Sequence, residues 1–322
     1  MGQLTGKTIL VTGAGRGQGR AYALAAAREG ADIIAIDVAA PIMEVRYPLA
    51  SADDLADTAK SIEELNRRVV SEAVDVRDSA ALDAIVARGL DEFGAIDGVV
   101  ANAGVLDWDC RFWEITDVMW STVIDINLTG VWRTLRAVAP SMIAARAGSL
   151  VVVASINSFE PAFDYAGYVT AKHGLLGLMR NAALELAEHN IRCNAVCPGA
   201  IDTRIWNNDM GYAKFSPNGP RTRAAAIDAA YTFPALAGRS ALPPEAVSSA
   251  ACWLLSDQSE HVTGIALPVD GGHLIQPGWN MAPMREGAEA ERYRPPQDVP
   301  HNARMVAMAS SNRATGLDQS TP

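Results

Sequence analysis

Apolar residues fall along this chain in two rhythms. Short runs rich in Val and Ile recur as KTILVT, ADIIAID, VVSEAVDV, AIDGVVAN, GSLVVVAS, IRCNAVCP and GIALPVDG. Runs of that length and composition predict strands buried on both faces. Between them, over 17–29, 53–68, 79–93, 116–145, 166–188 and 244–256, apolar positions repeat at helical spacing. Strands that alternate with helices predict an α/β fold: a single Rossmann-type, doubly wound parallel sheet of about seven strands with helices on both faces.

Two segments break the rhythm. Residues 39–52, AAPIMEVRYPLASA, stretch the connection after the second strand beyond the usual few residues. Residues 273–322 are proline-bearing and have no sustained period, so they read as an arm-like C-terminal extension. The expected organisation is one domain over 1–272, with an insertion at 39–52 and a substrate lid at 204–235, followed by the extension.

The chain has 322 residues, 49% of them apolar and 20% charged, enough to fill a sizeable core. A net charge of −10 with scattered Lys and Arg argues against nucleic acid or an acidic membrane as a partner. No apolar run approaches a membrane span. The start MGQLTGKTILVTGAG lacks the layout of a signal peptide, and Gly6 stands where a myristoylation motif wants Ser or Thr. A cytoplasmic protein is expected. Cys110, Cys193, Cys197 and Cys252 form no CxxC pair and have no His cluster beside them, so neither a metal site nor a disulfide framework is expected.

The first chemical signal is VTGAGRGQG at 11–19, between the first strand and the first helix. Glycines there let the backbone turn tightly and approach a pyrophosphate, and the helix start offers free N–H groups to the anion. Asp37 closes the next strand. A carboxylate at that point accepts from ribose hydroxyls and repels a 2′-phosphate, which favours NAD over NADP. Arg16 pulls the other way, as a cation able to pair with such a phosphate, and the position after Asp37 is Val38 rather than Arg.

The second signal is YVTAK at 168–172. A phenol and an ammonium four residues apart share one face of a helix. An unperturbed tyrosine has a pKa of about 10, and a nearby cation favours its phenolate.

Together these segments resemble the short-chain dehydrogenase/reductase family over roughly residues 5–272. The glycine loop has that family's TGxxxGxG spacing (Thr12, Gly13, Gly17, Gly19), with Arg16 and Gln18 inside it. Asp75 and Val76 match its adenine-contacting position, and Asn102, Ala103 and Gly104 its NNAG segment, with Ala101 in place of the first Asn. Asn127 falls where the family has its catalytic Asn, and Ser155 precedes Tyr168 by the family's spacing. Pro198, Gly199, Ile201 and Thr203 match the segment that holds the nicotinamide. RGQGR, the insertion and TAKHGLLGLMR further resemble the carveol-dehydrogenase-like, mycofactocin-associated branch, in which NAD stays bound while electrons leave through an external acceptor. The Cys that follows the second-strand Asp in that branch is absent here, and the tail is longer.

The resemblance implies an NAD-dependent oxidoreductase that interconverts a secondary alcohol and a ketone. Tyr168 would be general acid/base, Lys172 the neighbouring cation and ribose ligand, Ser155 the substrate-oxygen donor, and Asn127 the anchor of a water leading to solvent. The same tetrad also serves isomerases and dehydratases; an NADP-dependent reductase and a silent NAD-binding redox sensor are further alternatives. Trp108, Phe159, Phe163, Trp206 and Met210 lie on strand-end loops and predict a pocket for an apolar cyclic substrate of terpenoid or alicyclic type. Trp113, Trp120 and Trp132 read as core or interface, and His173 as structural. The resemblance also implies a homotetramer, and Trp279, Met281 and Met284 suggest a tail reaching a neighbouring subunit.

Overall fold

The computed structural model of the chain describes residues 2–106, 110–215 and 220–276, with backbone only at 213–215. Trp108 and the tail residues Trp279, Met281 and Met284 lie outside the described residues. Two compact units are present: Met1–Ile205 with Pro243–Val269, and Trp206–Leu242 with Asp270–Pro322.

The first unit holds a seven-stranded parallel sheet. Its strands are β1 (Thr8–Thr12), β2 (Asp32–Asp37), β3 (Val69–Ala73), β4 (Gly98–Ala101), β5 (Gly148–Val153), β6 (Ile191–Pro198) and β7 (Ala266–Val269). Their order is β3-β2-β1-β4-β5-β6-β7, the doubly wound arrangement expected. All seven apolar runs became strands; the central ones are covered on both sides, β1 along its whole length, while the edge strands β3 and β7 are only partly buried.

The helices of this unit are α1 (Gly17–Arg28), α2 (Ala52–Glu63), α3 (Ser79–Phe93), α4 (Asp117–Ile124), α5 (Gly130–Ala145), α6 (Ala166–Leu186) and α9 (Pro244–Leu255). Their starts are written locally. Ser51 and Asp54 form a reciprocal capping box on α2, Asp78 caps α3, Thr116 caps α4, and Pro244 opens α9. On one face of the sheet, Leu10, Ile34, Leu150 and Ala195 pack with Ile85, Val138, Leu175 and Met179 from α3, α5 and α6.

The helix predicted over 116–145 is interrupted. Residues Asp125–Thr129 form one π turn, closed by the Gly130 N–H on the Asp125 carbonyl. The cause is Asn127, whose side-chain Nδ2 donates to Val123 O at 2.9 Å, taking the carbonyl that its own backbone N–H would use in an α-helix.

The second unit contains α7 (Asp209–Phe215) and α8 (Arg223–Ala230), neither of which the periodicity indicated. Both are short, seven and eight residues, and nucleate locally. The Asn208 side chain accepts from the Met210 and Gly211 amides, and Thr222 caps α8. Asp270 caps the turn at 272–274, and His273 stacks on Phe233 with ring centroids 5.3 Å apart.

Candidate active site

The sheet order reverses between β1 and β4, so the loops leaving their carboxyl ends diverge and open a crevice. The loop after β1 is the glycine segment. Gly13 and Gly17 adopt φ of 69° and 55°, the left-handed region. A Cβ on Gly19 would sit 1.8 Å from Gly13 O, so only glycine lets α1 start this close to the strand end.

Thr12 and Asn102 stitch the two strand ends together. Thr12 Oγ1 accepts from the Asn102 and Ala103 amides at 3.0 and 2.9 Å, and Asn102 Nδ2 donates to Thr12 O at 3.0 Å. The Asn102 side chain therefore braces the cradle from beneath. Asp37 closes it from the β2 side, accepting from Gly15 N at 2.9 Å and from Ala39 N at 3.1 Å while nearly buried. Beside them, Arg16 Nη1 is buried with no hydrogen-bond partner among the described residues. Burial pushes the Arg16 pKa down, with Tyr47 and Asp37 opposing.

Asp75, expected at the adenine-contacting position, is engaged by Arg77. Arg77 donates to it from its backbone N at 2.9 Å and from Nη2 at 2.6 Å. Burial works to raise the Asp75 pKa, but these bonds hold it below the usual carboxylate value. Val76 is buried against Gly130, where a Cβ would come within 2.6 Å of it.

The four residues of the expected tetrad all occur in the first unit, on or beside β5, the π turn and α6. Tyr168 and Lys172 lie one turn apart on α6, and Lys172 Nζ stands 5.4 Å from the Tyr168 ring centroid. Lys172 is buried and donates to Val153 O, at the end of β5, at 2.7 Å. Burial lowers its pKa to about 8, with the Cys197 thiol nearby working against that. Tyr168 meets Tyr165 edge-on, ring centroids 6.3 Å apart. Ser155 follows β5, is buried, and accepts from Asn157 N at 3.1 Å, which leaves its hydroxyl proton to point elsewhere.

Asn127 is fully buried and its carboxamide is spent on protein. Besides Val123 O, it donates to Val105 O at 2.9 Å and accepts from Val105 N at 3.0 Å. Gly104 makes room: a Cβ there would lie 2.6 Å from Asn127 Oδ1. On the opposite wall, Pro198 ends β6, and Gly199 N donates to Val269 O at 3.1 Å. Ile201 and Thr203 are buried, Thr203 Oγ1 lacks a partner among the described residues, and its methyl group faces Gly17.

Phe159 is 43% exposed; Phe163 is 80% exposed and lies against the Arg111 guanidinium, 5.7 Å from its ring centroid. Trp206 and Met210 belong to the second unit, where Trp206 is buried. His173 bonds Val169 O within its own helix, a structural contact. One contributor escaped the sequence reading: Tyr47 of the insertion, whose hydroxyl accepts from Leu106 N at 3.0 Å. An aromatic ahead of a proline in VRYPLAS was its visible signal.

The geometry finds close parallels. The (-)-trans-carveol dehydrogenase of Rhodococcus erythropolis is 38% identical over 282 residues, covering 86% of this chain and all of that protein. The crystal structure of carveol dehydrogenase from Mycobacterium avium in complex with NAD superposes with a TM-score of 0.83 at 40% identity, covering 86% of this chain and 100% of that one. Levodione reductase of Leifsonia aquatica is 34% identical over 84% of this chain and 95% of its own length. The family model for short chain dehydrogenase matches residues 7–211. The chain belongs to the short chain dehydrogenase family.

Proposed function

We propose that the chain is an NAD-dependent oxidoreductase that interconverts a secondary alcohol and a ketone on an apolar, cyclic substrate. The observation that carries this reading is the buried Lys172 ammonium 5.4 Å from the Tyr168 ring, beside the crevice at the sheet's carboxyl edge.

The crevice suits a dinucleotide. Arg16 Nη1 and Thr203 Oγ1 are buried with no hydrogen-bond partner among the described residues, and Cβ atoms at Gly13 and Gly19 would clash with Ala103 and Gly13 O and so disturb the loop that lines the crevice. Gly13, Arg16, Gly17, Gln18 and Gly19 would hold its phosphates, and Asp37 and Val38 its adenosine ribose. Asp75, Val76, Asn102, Ala103 and Gly104 would flank the adenosine half, with Pro198, Gly199, Ile201 and Thr203 at the nicotinamide half. NAD supplies, when bound, the hydride acceptor for alcohol oxidation.

The chain's own residues handle the proton. Tyr168 takes it from the substrate hydroxyl in oxidation and returns it in reduction. Lys172 stabilises the phenolate and, with its remaining donors, would hold ribose hydroxyls. Ser155 directs its free proton at the substrate oxygen and fixes its distance and angle. Asn127, its carboxamide committed to Val105 and Val123, acts by holding the π turn and the loop after β4 in register.

A cyclic substrate is supported by the relatives named for carveol and levodione. Retention of NAD between turnovers, with an external electron acceptor, is supported by the likeness of RGQGR, the insertion and TAKHGLLGLMR to the mycofactocin-associated branch. A homotetramer is supported by the exposed Trp120 and Trp132 on α4 and α5. No described helix is long and apolar enough to cross a membrane, which suits a cytoplasmic enzyme.

The test is to denature the purified protein, identify the released nucleotide, and assay cyclic alcohols with free NAD or an artificial acceptor. Released NAD and oxidation of cyclic alcohols support the reading; absence of turnover with both electron sinks overturns it.

A further inference from the structure

We propose that Tyr47 is a positioning residue that ties the glycine cradle to the loop after β4 and thereby sets substrate affinity. Its kinetic consequence rests on the dehydrogenase reading above; its structural consequence does not.

The insertion leaves β2 and returns to α2 by crossing above the ends of β1 and β4. Three contacts fix that path. Ile42 packs into a cluster with Val76, Val105, Val123 and Ile126, against which Tyr168 also lies. Ala50 is buried, its Cβ 2.8 Å from where a Cβ of Gly15 would stand. Between them Tyr47 is buried, with its ring 6.0 Å from the Arg16 guanidinium carbon and its hydroxyl on Leu106 N at 3.0 Å.

The Leu106 contact matters because of its neighbour. Val105 is held at both backbone groups by Asn127. Two consecutive residues at the mouth of the crevice are thus fixed by side chains from different parts of the chain, one from the π turn and one from the insertion. A phenol reaches with only two rotatable bonds, so it sets distance more tightly than a flexible side chain. Because the same ring lies beside Arg16, the residue spans both halves of the site: hydroxyl toward the substrate loop, ring toward the cofactor cradle. Deleting the hydroxyl alone should loosen the first and spare the second.

Tyr47→Phe and Tyr47→Leu in the full-length protein separate these contacts, read by hydrogen exchange, steady-state kinetics with cyclohexanol derivatives, and nucleotide retained through gel filtration. For Tyr47→Phe, exchange in the peptide containing Leu106 should rise about tenfold and KM by a similar factor, with kcat within about twofold and nucleotide retained. Tyr47→Leu should add an approximately tenfold faster loss of nucleotide. Unchanged exchange at Leu106 in the Phe variant overturns the proposal. So does a parallel fall in kcat and melting temperature without a KM effect, which marks a merely structural tyrosine. If the wild-type protein oxidises no cyclic alcohol, the alcohol assignment fails on its own, and hydrogen exchange with nucleotide retention decides the role of Tyr47.

Discussion

Asn127 and Val105 are joined by a two-way bond, the carboxamide donating to the Val105 carbonyl and accepting from its N–H, deep in the protein. A carboxamide has an acceptor oxygen and two N–H protons on one plane, so it satisfies both Val105 groups while its second N–H proton goes to Val123 O. Replacement by Leu should leave three buried backbone groups unpaired and cost about 2–5 kcal/mol. Denaturant titration measures this, and an unchanged midpoint would refute the bracing role.

Tyr168→Phe should fold and keep its nucleotide while losing about 10²–10⁴ of turnover, because the hydroxyl is needed only to move a proton. Single-turnover absorbance of the nicotinamide after adding alcohol checks it. A near-normal rate in the Phe variant would remove Tyr168 from the proton-transfer step.

Lys172 gives a pH-dependent stability term with a definite sign. Burial lowers its pKa from 10.5 to about 8. Above pH 10.5 the amine is neutral in both states and costs nothing. Between 10.5 and 8 the unfolded chain binds the proton and the folded one does not, so stability falls as pH falls through this window. Lys172→Met should therefore gain relative to wild type by about 3 kcal/mol between pH 10.5 and pH 7. Paired urea titrations of the nucleotide-free proteins at those pH values test it, and a constant gap would contradict it.

Asp37→Ser should relax the choice of dinucleotide. The carboxylate would oppose a 2′-phosphate, while the Arg16 cation nearby would welcome one once the acid is gone. The ratio of NADP to NAD affinity should rise about 10–100-fold, and the reverse should follow from Arg16→Ala in that background. Binding titrations of refolded, nucleotide-free protein provide the readout.

Most of the sheet was legible because the central strands are covered on both faces, so their apolar runs are unbroken and their neighbours are set by handed connections. The tetrad and the glycine loop were legible because their spacing survives independently of packing. The π turn was not, since Asn127 looks like any polar position in a helix until Val105 arrives from β4. Tyr47 left only a faint trace, an aromatic ahead of a proline, because its partner lies 59 residues away and the local pattern does not name it. Helices α7 and α8 are too short to establish a period. Asp75 was identified as a site residue, yet its salt bridge to Arg77, two positions later, needed side-chain geometry to see.

The π turn has an effect far from the crevice. One surplus residue in a helix rotates everything beyond it by roughly 100° about the axis. Trp120 and Trp132 would otherwise point roughly 120° apart; with the surplus residue between them the two indoles come within roughly 20° of a common direction. The asparagine that braces the interior thereby also sets the rotational phase of the outer surface, and converting that turn to regular α-helix with every residue kept would swing the two tryptophans apart.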